Sequence, residues 1–225
     1  MVRENYKLWL RMGRDHVEPA VFVIAQDLKI NKLLHDLESV GLQRPYWKPN
    51  LYRTVFYFCG WNCYHESDMR LYNTLAKNCG AALVADTEDL ITQARSIYET
   101  LKWIARPKST TLIRPKFRAG FEWIDLPVFL ILQDLRMNKF IHVMKGLNVD
   151  FEATHFEPHI YALVFYCCHC SPFYDDIPPI YYKLVDEYSH RVTLQTPEPI
   201  EAAEAIYERL MAEIRSEDLK IITKR

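Results

Sequence analysis

A polar motif, QDLxxNKxxH, occurs twice in the chain, from Gln26 to His35 and again from Gln133 to His142. On a helix, its aspartate, asparagine and histidine are spaced i, i+4 and i+8 and share one stripe, with a lysine beside the asparagine. A carboxylate or an imidazole can move protons, while a lysine and an amide can hold an anion. The motif therefore indicates acid–base chemistry on a small anionic substrate, at a site present twice or formed jointly by both copies. The predicted catalytic residues are Asp27, Lys32, His35, Asp134, Lys139 and His142, and the predicted ligand-binding residues are Gln26, Asn31, Gln133 and Asn138.

A structural role explains the same motif. An aspartate is a good helix N-cap, an asparagine can bond to a neighbouring loop, and a lysine and a histidine can lie at the interface between the two copies. Caps and interface residues also persist in duplicated units, so the structural interpretation is preferred. The sequence therefore leans against an enzyme.

Cysteines concentrate after a second apolar segment in each half of the chain. Cys59 and Cys63 lie in CGWNCYH, and Cys168 and Cys170 lie in CCHC. Thiolates and imidazoles are ligands that zinc and other soft ions prefer, so these four cysteines are weak candidates for a metal or redox site. Buried, reduced thiols that pack as small hydrophobic side chains are the favoured interpretation. We therefore predict no metal site, and the sequence identifies no cofactor.

The repetition extends far beyond the motif. QDLKINK corresponds to QDLRMNK at an offset of 107 residues, and an offset of 109 then holds for the rest of the chain. That second offset aligns TVFYFC with LVFYCC, LYNTL with IYYKL, and TEDLITQARSIYETL with TPEPIEAAEAIYERL. A constant offset across separate blocks indicates a tandem duplication of a unit the size of a small domain.

Within each unit, short apolar runs alternate with longer amphipathic segments. VFVIAQ, LYRTVFYFC and AALVA are typical of buried strands, and the segments between and after them are typical of helices, with Asp27 as an N-cap and the glycines at 41 and 80 as stops. Alternating strands and helices predict an α/β fold. The predicted architecture is a tandem duplication of a βαβαβα unit, a three-layer sandwich with a mainly parallel sheet and pseudo-two-fold symmetry between the copies. The predicted domains are residues 1–104, a basic connector at 105–126, and residues 127–225.

Composition limits the classes of partner. The chain has 225 residues, of which 49% are hydrophobic, and a formal net charge of −1. A balanced charge predicts neither a nucleic-acid partner nor an anionic membrane. Charges interrupt the N-terminal residues, and no apolar stretch approaches the length of a membrane span, so we expect a soluble, cytoplasmic protein.

The sequence favours a non-catalytic regulatory or interaction protein whose duplicated scaffold presents a composite site to a protein partner or a small ligand. One alternative is an enzyme that acts on a small anionic substrate through the repeated motif. The other is a metal or redox module built from cysteine and histidine. The oligomeric state does not follow from the sequence.

Overall fold

A computed structural model describes residues 10–12, 14–39, 41, 51–59, 66–83, 87–104, 116–119, 121–146, 160–168, 177–192 and 199–223. The elements of the first half are β1 (Leu10–Met12), β2 (Asp15–Val17), α1 (Pro19–Ser39), α2 (Tyr52–Phe58), α3 (Glu66–Ala82) and α4 (Thr87–Ile104). Those of the second half are β3 (Lys116–Ala119), β4 (Glu122–Asp125), α5 (Leu126–Gly146), α6 (Ile160–Cys167), α7 (Ile177–Arg191) and α8 (Ile200–Thr223). The chain divides into two compact units, one containing β1 to α4 and the other containing β3 to α8.

Each unit begins with a β-hairpin that leads directly into a long helix. In the first unit, β1 pairs antiparallel with β2, and Leu10 lies opposite Val17. In the second unit, β3 pairs antiparallel with β4, and Phe117 lies opposite Ile124. Because side chains alternate along a strand, one face of each hairpin can pack against the helices while the other faces solvent.

The helix α1 is the centre of the first unit. Every side chain from Ala20 to Ile30 is buried, because α2, α3 and α4 all contact this helix. A helix that is apolar on all sides is stable only when other elements surround it. The surrounding helices are amphipathic; in α4 the buried residues are Leu90, Ile91, Ala94, Ile97 and Leu101.

The second unit repeats this arrangement around α5. Its side chains from Val128 to Leu135 are all buried, and α6, α7 and α8 contact it. The ring of Phe117 on β3 packs against that of Phe129 on α5, with centroids 4.9 Å apart. This contact fixes the hairpin to the central helix.

The predicted α/β class is wrong. The described residues are mainly helical, and their strands form only two two-stranded antiparallel sheets, so the three-layer sandwich with a parallel sheet is overturned. VFVIAQ lies in α1, TVFYFC lies mostly in α2, and their counterparts VFLIL and YALVFYC lie in α5 and α6. A short, continuously apolar run has the same pattern in a buried strand and in a buried helix, which explains the error.

The predicted helix boundaries had mixed outcomes. Asp27 is not an N-cap, since it lies in the middle of α1. Gly41 follows the end of α1 with a φ of 80°, the left-handed conformation expected of a helix-terminating glycine. Gly80 does not end α3, which continues to Ala82. The proposed domain boundaries stay predictions; β3 and β4 lie within the segment predicted as the connector.

Candidate functional site

The aspartate of the repeated motif lies inside each unit. Asp27 of α1 and Asp134 of α5 are buried, as are the preceding Gln26 and Gln133. The helices that surround α1 and α5 enclose these carboxylates, so neither carboxylate lies at the end of a strand. A buried carboxylate must be hydrogen-bonded to be tolerated.

A tyrosine from the third helix of each unit supplies such a bond. The hydroxyl of Tyr72 on α3 donates to Asp27 Oδ2 at 2.6 Å, and the hydroxyl of Tyr181 on α7 donates to Asp134 Oδ2 at 2.7 Å. Both tyrosines are fully buried. We call each of these pairs the Tyr–Asp pair of its unit.

The environment keeps both tyrosines protonated. Burial, the charge of Asp27 and the hydrogen bond to it hold the pKa of Tyr72 well above its usual range. Burial, Asp134 and its hydrogen bond do the same to the pKa of Tyr181. A protonated hydroxyl can donate to a carboxylate, so the pair is a stable donor and acceptor inside the core.

The motif asparagine also bonds within its own helix. Asn31 Nδ2 donates to the backbone oxygen of Asp27 at 2.8 Å and lies 3.5 Å from its Oδ2. Asn138 Nδ2 does the same with Asp134, at 2.9 Å from the backbone oxygen and 3.4 Å from Oδ1. The amide groups predicted to bind a ligand therefore bond one turn back along α1 and α5.

A small residue allows the third helix to approach the asparagine. A Cβ atom added to Gly80 of α3 would lie 2.7 Å from the Cβ of Asn31. At the corresponding position of α7 the chain has Ser189, which is buried and donates to the backbone oxygen of Asp186 at 2.8 Å. The close contact explains why a helical glycine is buried at this point.

The lysine and histidine of the motif lie nearer to solvent. In the first unit, Lys32 Nζ contacts Asp36 Oδ1 at 2.5 Å, and His35 Nδ1 lies 3.5 Å from the same oxygen. Val143 occupies the position of Asp36 in the second unit. These contacts are therefore not repeated. Of the three candidate catalytic side chains of the first copy, Lys32 and His35 meet at Asp36, whereas Asp27 is buried and accepts a hydrogen bond from Tyr72.

In the second unit, His142 meets a histidine that the motif does not contain. The rings of His142 on α5 and His190 on α7 are perpendicular, with centroids 4.6 Å apart. His190 Nε2 lies 3.5 Å from Asp186 Oδ1, while Lys139 is half-buried on α5. Sequence reasoning missed this cluster because 48 residues separate the two histidines and Ala81 replaces His190 in the first copy.

Three of the four described cysteines, Cys59, Cys79 and Cys167, have raised pKa values and are therefore poor nucleophiles. Burial raises the pKa of Cys59 to about 12, against the opposing effect of Lys102, and burial raises the pKa of Cys167 to about 12. Cys168 is buried, whereas Cys63 and Cys170 lie outside the described residues. Thiols with raised pKa values stay protonated at neutral pH, whereas metal binding and nucleophilic attack need the thiolate.

Among the residues that the structure describes, no group of three or more histidine, cysteine, aspartate or glutamate side chains is arranged to hold a metal ion. Within that same part of the chain, no helix is long and apolar enough to cross a bilayer.

Comparisons with protein-family models, with curated proteins and with solved structures found no match to this chain.

Proposed function

We propose that the protein is a non-catalytic interaction protein in which two copies of a helical unit serve as a scaffold for a partner-binding surface. The Tyr–Asp pair supports this proposal most directly. In both units it engages the motif aspartate with a fully buried tyrosine.

A general base has to reach the proton that it abstracts. Asp27 and Asp134 are buried within their units and bonded to the neighbouring helix, which suits a structural role. Asn31 and Asn138 bond to their own helices. The aspartate and the asparagine retained by both copies thus have structural partners, and on this proposal function lies in the surface residues by which the copies differ.

Native mass spectrometry of the full chain, purified from its own cells, tests the proposal. We expect the native mass to exceed the denatured mass of the chain by the mass of a partner protein in fixed stoichiometry. An additional mass that corresponds to a metal ion, or to a small ligand that the purified protein converts to product, would contradict it.

A second candidate function is proton transfer in the second unit, and the contact of His142 with His190 beside Asp186 favours it. Histidine is the side chain that most often transfers protons in catalysis. If this candidate is right, turnover of a small ligand found by native mass spectrometry will disappear in His142→Ala and in His190→Ala. The matched variant His35→Ala, at the corresponding position of the first unit, will keep the activity.

A further inference from the structure

A threonine hydroxyl is buried without a hydrogen bond in the first unit. The side chain of Thr54 on α2 is fully buried, and no atom of the described part of the chain forms a hydrogen bond with its Oγ1. A buried hydroxyl in this position costs free energy, because it has lost its bonds to water and gained none in return. Thr54 therefore makes the docked position of α2 less favourable.

The second unit has an apolar side chain at the corresponding position. At the 109-residue offset, Thr54 of α2 corresponds to Leu163 of α6, which is also fully buried. The next two positions carry valine and phenylalanine in both helices. Burial of the leucine stabilises α6, whereas burial of the threonine hydroxyl opposes the docking of α2. The two copies therefore differ in how firmly this helix is held.

The helix α2 has little stability of its own to offset this cost. It contains seven residues, Tyr52–Phe58, and isolated helices shorter than about 12 residues are marginal in water. Its N-cap is Leu51, whose side chain makes no capping hydrogen bond and has no polar atom to make one. Contacts with the rest of the unit must therefore hold α2 in place, and Thr54 weakens them.

The position of α2 determines what its release uncovers. Phe56, which is almost completely buried, packs edge-on against Tyr72 with ring centroids 5.8 Å apart, and Tyr72 is the donor of the Tyr–Asp pair. Cys59, the C-cap of α2, donates its backbone N–H to the oxygen of Val55 at 2.9 Å, and burial raises the pKa of its thiol to about 12. Release of α2 removes the cover of both groups.

We propose that α2 is a gate of the first unit, which opens locally while α1, α3 and α4 stay packed together, and which gives solvent access to the Tyr–Asp pair. The corresponding helix α6 stays closed, because Leu163 favours its docked position. Local opening of a short element within a folded protein is an ordinary native-state motion. Access to the motif aspartate of the first unit is then controlled by α2.

Native-state hydrogen exchange of the full-length protein, followed by mass spectrometry, tests the proposal. It compares the backbone amides of residues 55–59 with those of residues 164–168, after correction for their intrinsic exchange rates. We expect the first set to exchange about tenfold faster or more, since a buried hydroxyl without a partner carries a cost of that size. Low concentrations of urea should change this exchange little, because a local opening exposes little surface.

The informative variant is Thr54→Val, which replaces the hydroxyl by a methyl group. It should slow exchange at residues 55–59 about tenfold, and it should slow the alkylation of Cys59 by iodoacetamide by the same factor, because both reactions require the gate to open. The matched control is Thr74→Val on α3. The Thr74 hydroxyl is exposed and donates to the backbone oxygen of Arg70 at 2.8 Å, so this change should leave both rates as they are.

Four results would overturn the inference. Equal exchange rates at residues 55–59 and 164–168 would show that α2 is docked as firmly as α6. Unchanged rates in Thr54→Val would show that the hydroxyl does not weaken the docking of α2. Faster exchange in the same variant would show that the hydroxyl has a stabilising partner, such as a buried water. Exchange at residues 55–59 with the same rate and urea dependence as in α1 would show that the first unit opens only as a whole.

Discussion

At the scale of single residues, the most informative feature is the Tyr–Asp pair, because both units use the same two residue types for the same buried bond. A hydrogen bond to a charged group contributes more than a neutral one. If one side chain of the pair is removed, the other stays buried away from water and has one hydrogen bond fewer. The pair therefore joins the central helix to the third helix by a hydrogen bond as well as by packing.

Removing the tyrosine hydroxyl should destabilise the first unit. We expect Tyr72→Phe to lower the free energy of unfolding by about 1–3 kcal/mol, because the Asp27 carboxylate stays buried and loses its 2.6 Å bond. Urea denaturation followed by circular dichroism measures the loss, and Tyr181→Phe should behave alike. Tyr98→Phe, at a half-buried position, serves as the control with a change below about 0.5 kcal/mol. Equal effects at Tyr72 and Tyr98 would show that the buried bond contributes nothing.

The raised tyrosine pKa values predict a loss of stability in alkaline solution. An unfolded tyrosine releases its proton near pH 10, with a pKa of about 10, whereas Tyr72 and Tyr181 keep theirs in the folded state. Above that pH the unfolded chain binds fewer protons than the folded chain, so stability falls as pH rises. Cys59 and Cys167, whose pKa values are also raised, act in the same direction. Urea midpoints measured on both sides of pH 10 should fall less steeply in Tyr72→Phe with Tyr181→Phe than in the wild-type protein; identical slopes would refute the assignment.

At the scale of helices and strands, the close crossing of α3 over α1 requires a residue without a side chain at position 80. Gly80 is buried beside Asn31, so the lack of a side chain there sets how closely the two helices approach. At the corresponding position of α7, Ser189 has a small, buried side chain that donates to the backbone oxygen of Asp186. Both units therefore have a small residue at this position of the third helix.

Adding a methyl group at this crossing should be costly. Gly80→Ala would place a Cβ atom 2.7 Å from the Asn31 Cβ, and overpacking of this kind costs about 1–3 kcal/mol. That cost exceeds the gain of up to about 1 kcal/mol from replacing a helical glycine with alanine. Gly146→Ala is the matched control, because among the described residues no atom lies within 4 Å of its added Cβ. The thermal midpoint should fall for Gly80→Ala and stay level or rise for Gly146→Ala; the reverse order would exclude the close contact.

The elements differ in how well the sequence predicts them. The segment after AALVA is predicted to be a helix because its apolar residues follow the helical period, and α4 lies there, from Thr87 to Ile104. The stretch from Val21 to Gln26 was predicted as a strand and is helical. This stretch can be apolar on every side because three other helices enclose it. That enclosure is a property of the tertiary structure, so the stretch itself does not show whether it is a strand or a helix.

The contacts within the candidate site also depend on tertiary structure that the local sequence does not reveal. The motif spacing correctly placed Asp27, Asn31 and His35 on one helix, although Gln26 was expected in a strand. The bond from Asp27 to Tyr72, however, joins residues 45 positions apart. One sequence signal was available, since Tyr72 and Tyr181 correspond under the 109-residue offset. This correspondence shows that both copies retain the tyrosine and the aspartate. It does not show that the two residues contact each other.

At the scale of the whole molecule, each unit contains its own central helix and the helices that cover it. The side chains of α1 are buried by α2, α3 and α4, and those of α5 by α6, α7 and α8. Two three-stranded α/β units, as expected from the sequence, would each be marginal alone and would need a core shared by both copies. Enclosure of the central helix within its own unit argues instead that a unit can fold alone.

Expression of residues 1–113 tests this point. We expect a monomer with a helical circular dichroism spectrum and a cooperative urea transition, because α2, α3 and α4, the helices that contact α1, all lie within this fragment. Size-exclusion chromatography with light scattering reports the mass. An unfolded fragment, or one that dimerises to replace the missing half, would show that the units depend on each other.

The central helix of each unit also determines when the growing chain is prone to aggregation. Synthesis proceeds from the N-terminus, so α1 leaves the ribosome before the helices that cover it, and α5 precedes α6, α7 and α8 in the same way. Until Ile104 has emerged, a stretch rich in valine, isoleucine and phenylalanine has no complete cover, and such stretches are prone to β-aggregation. Each nascent unit therefore passes through an interval in which chaperone protection matters most, and the interval occurs twice in the synthesis of one chain.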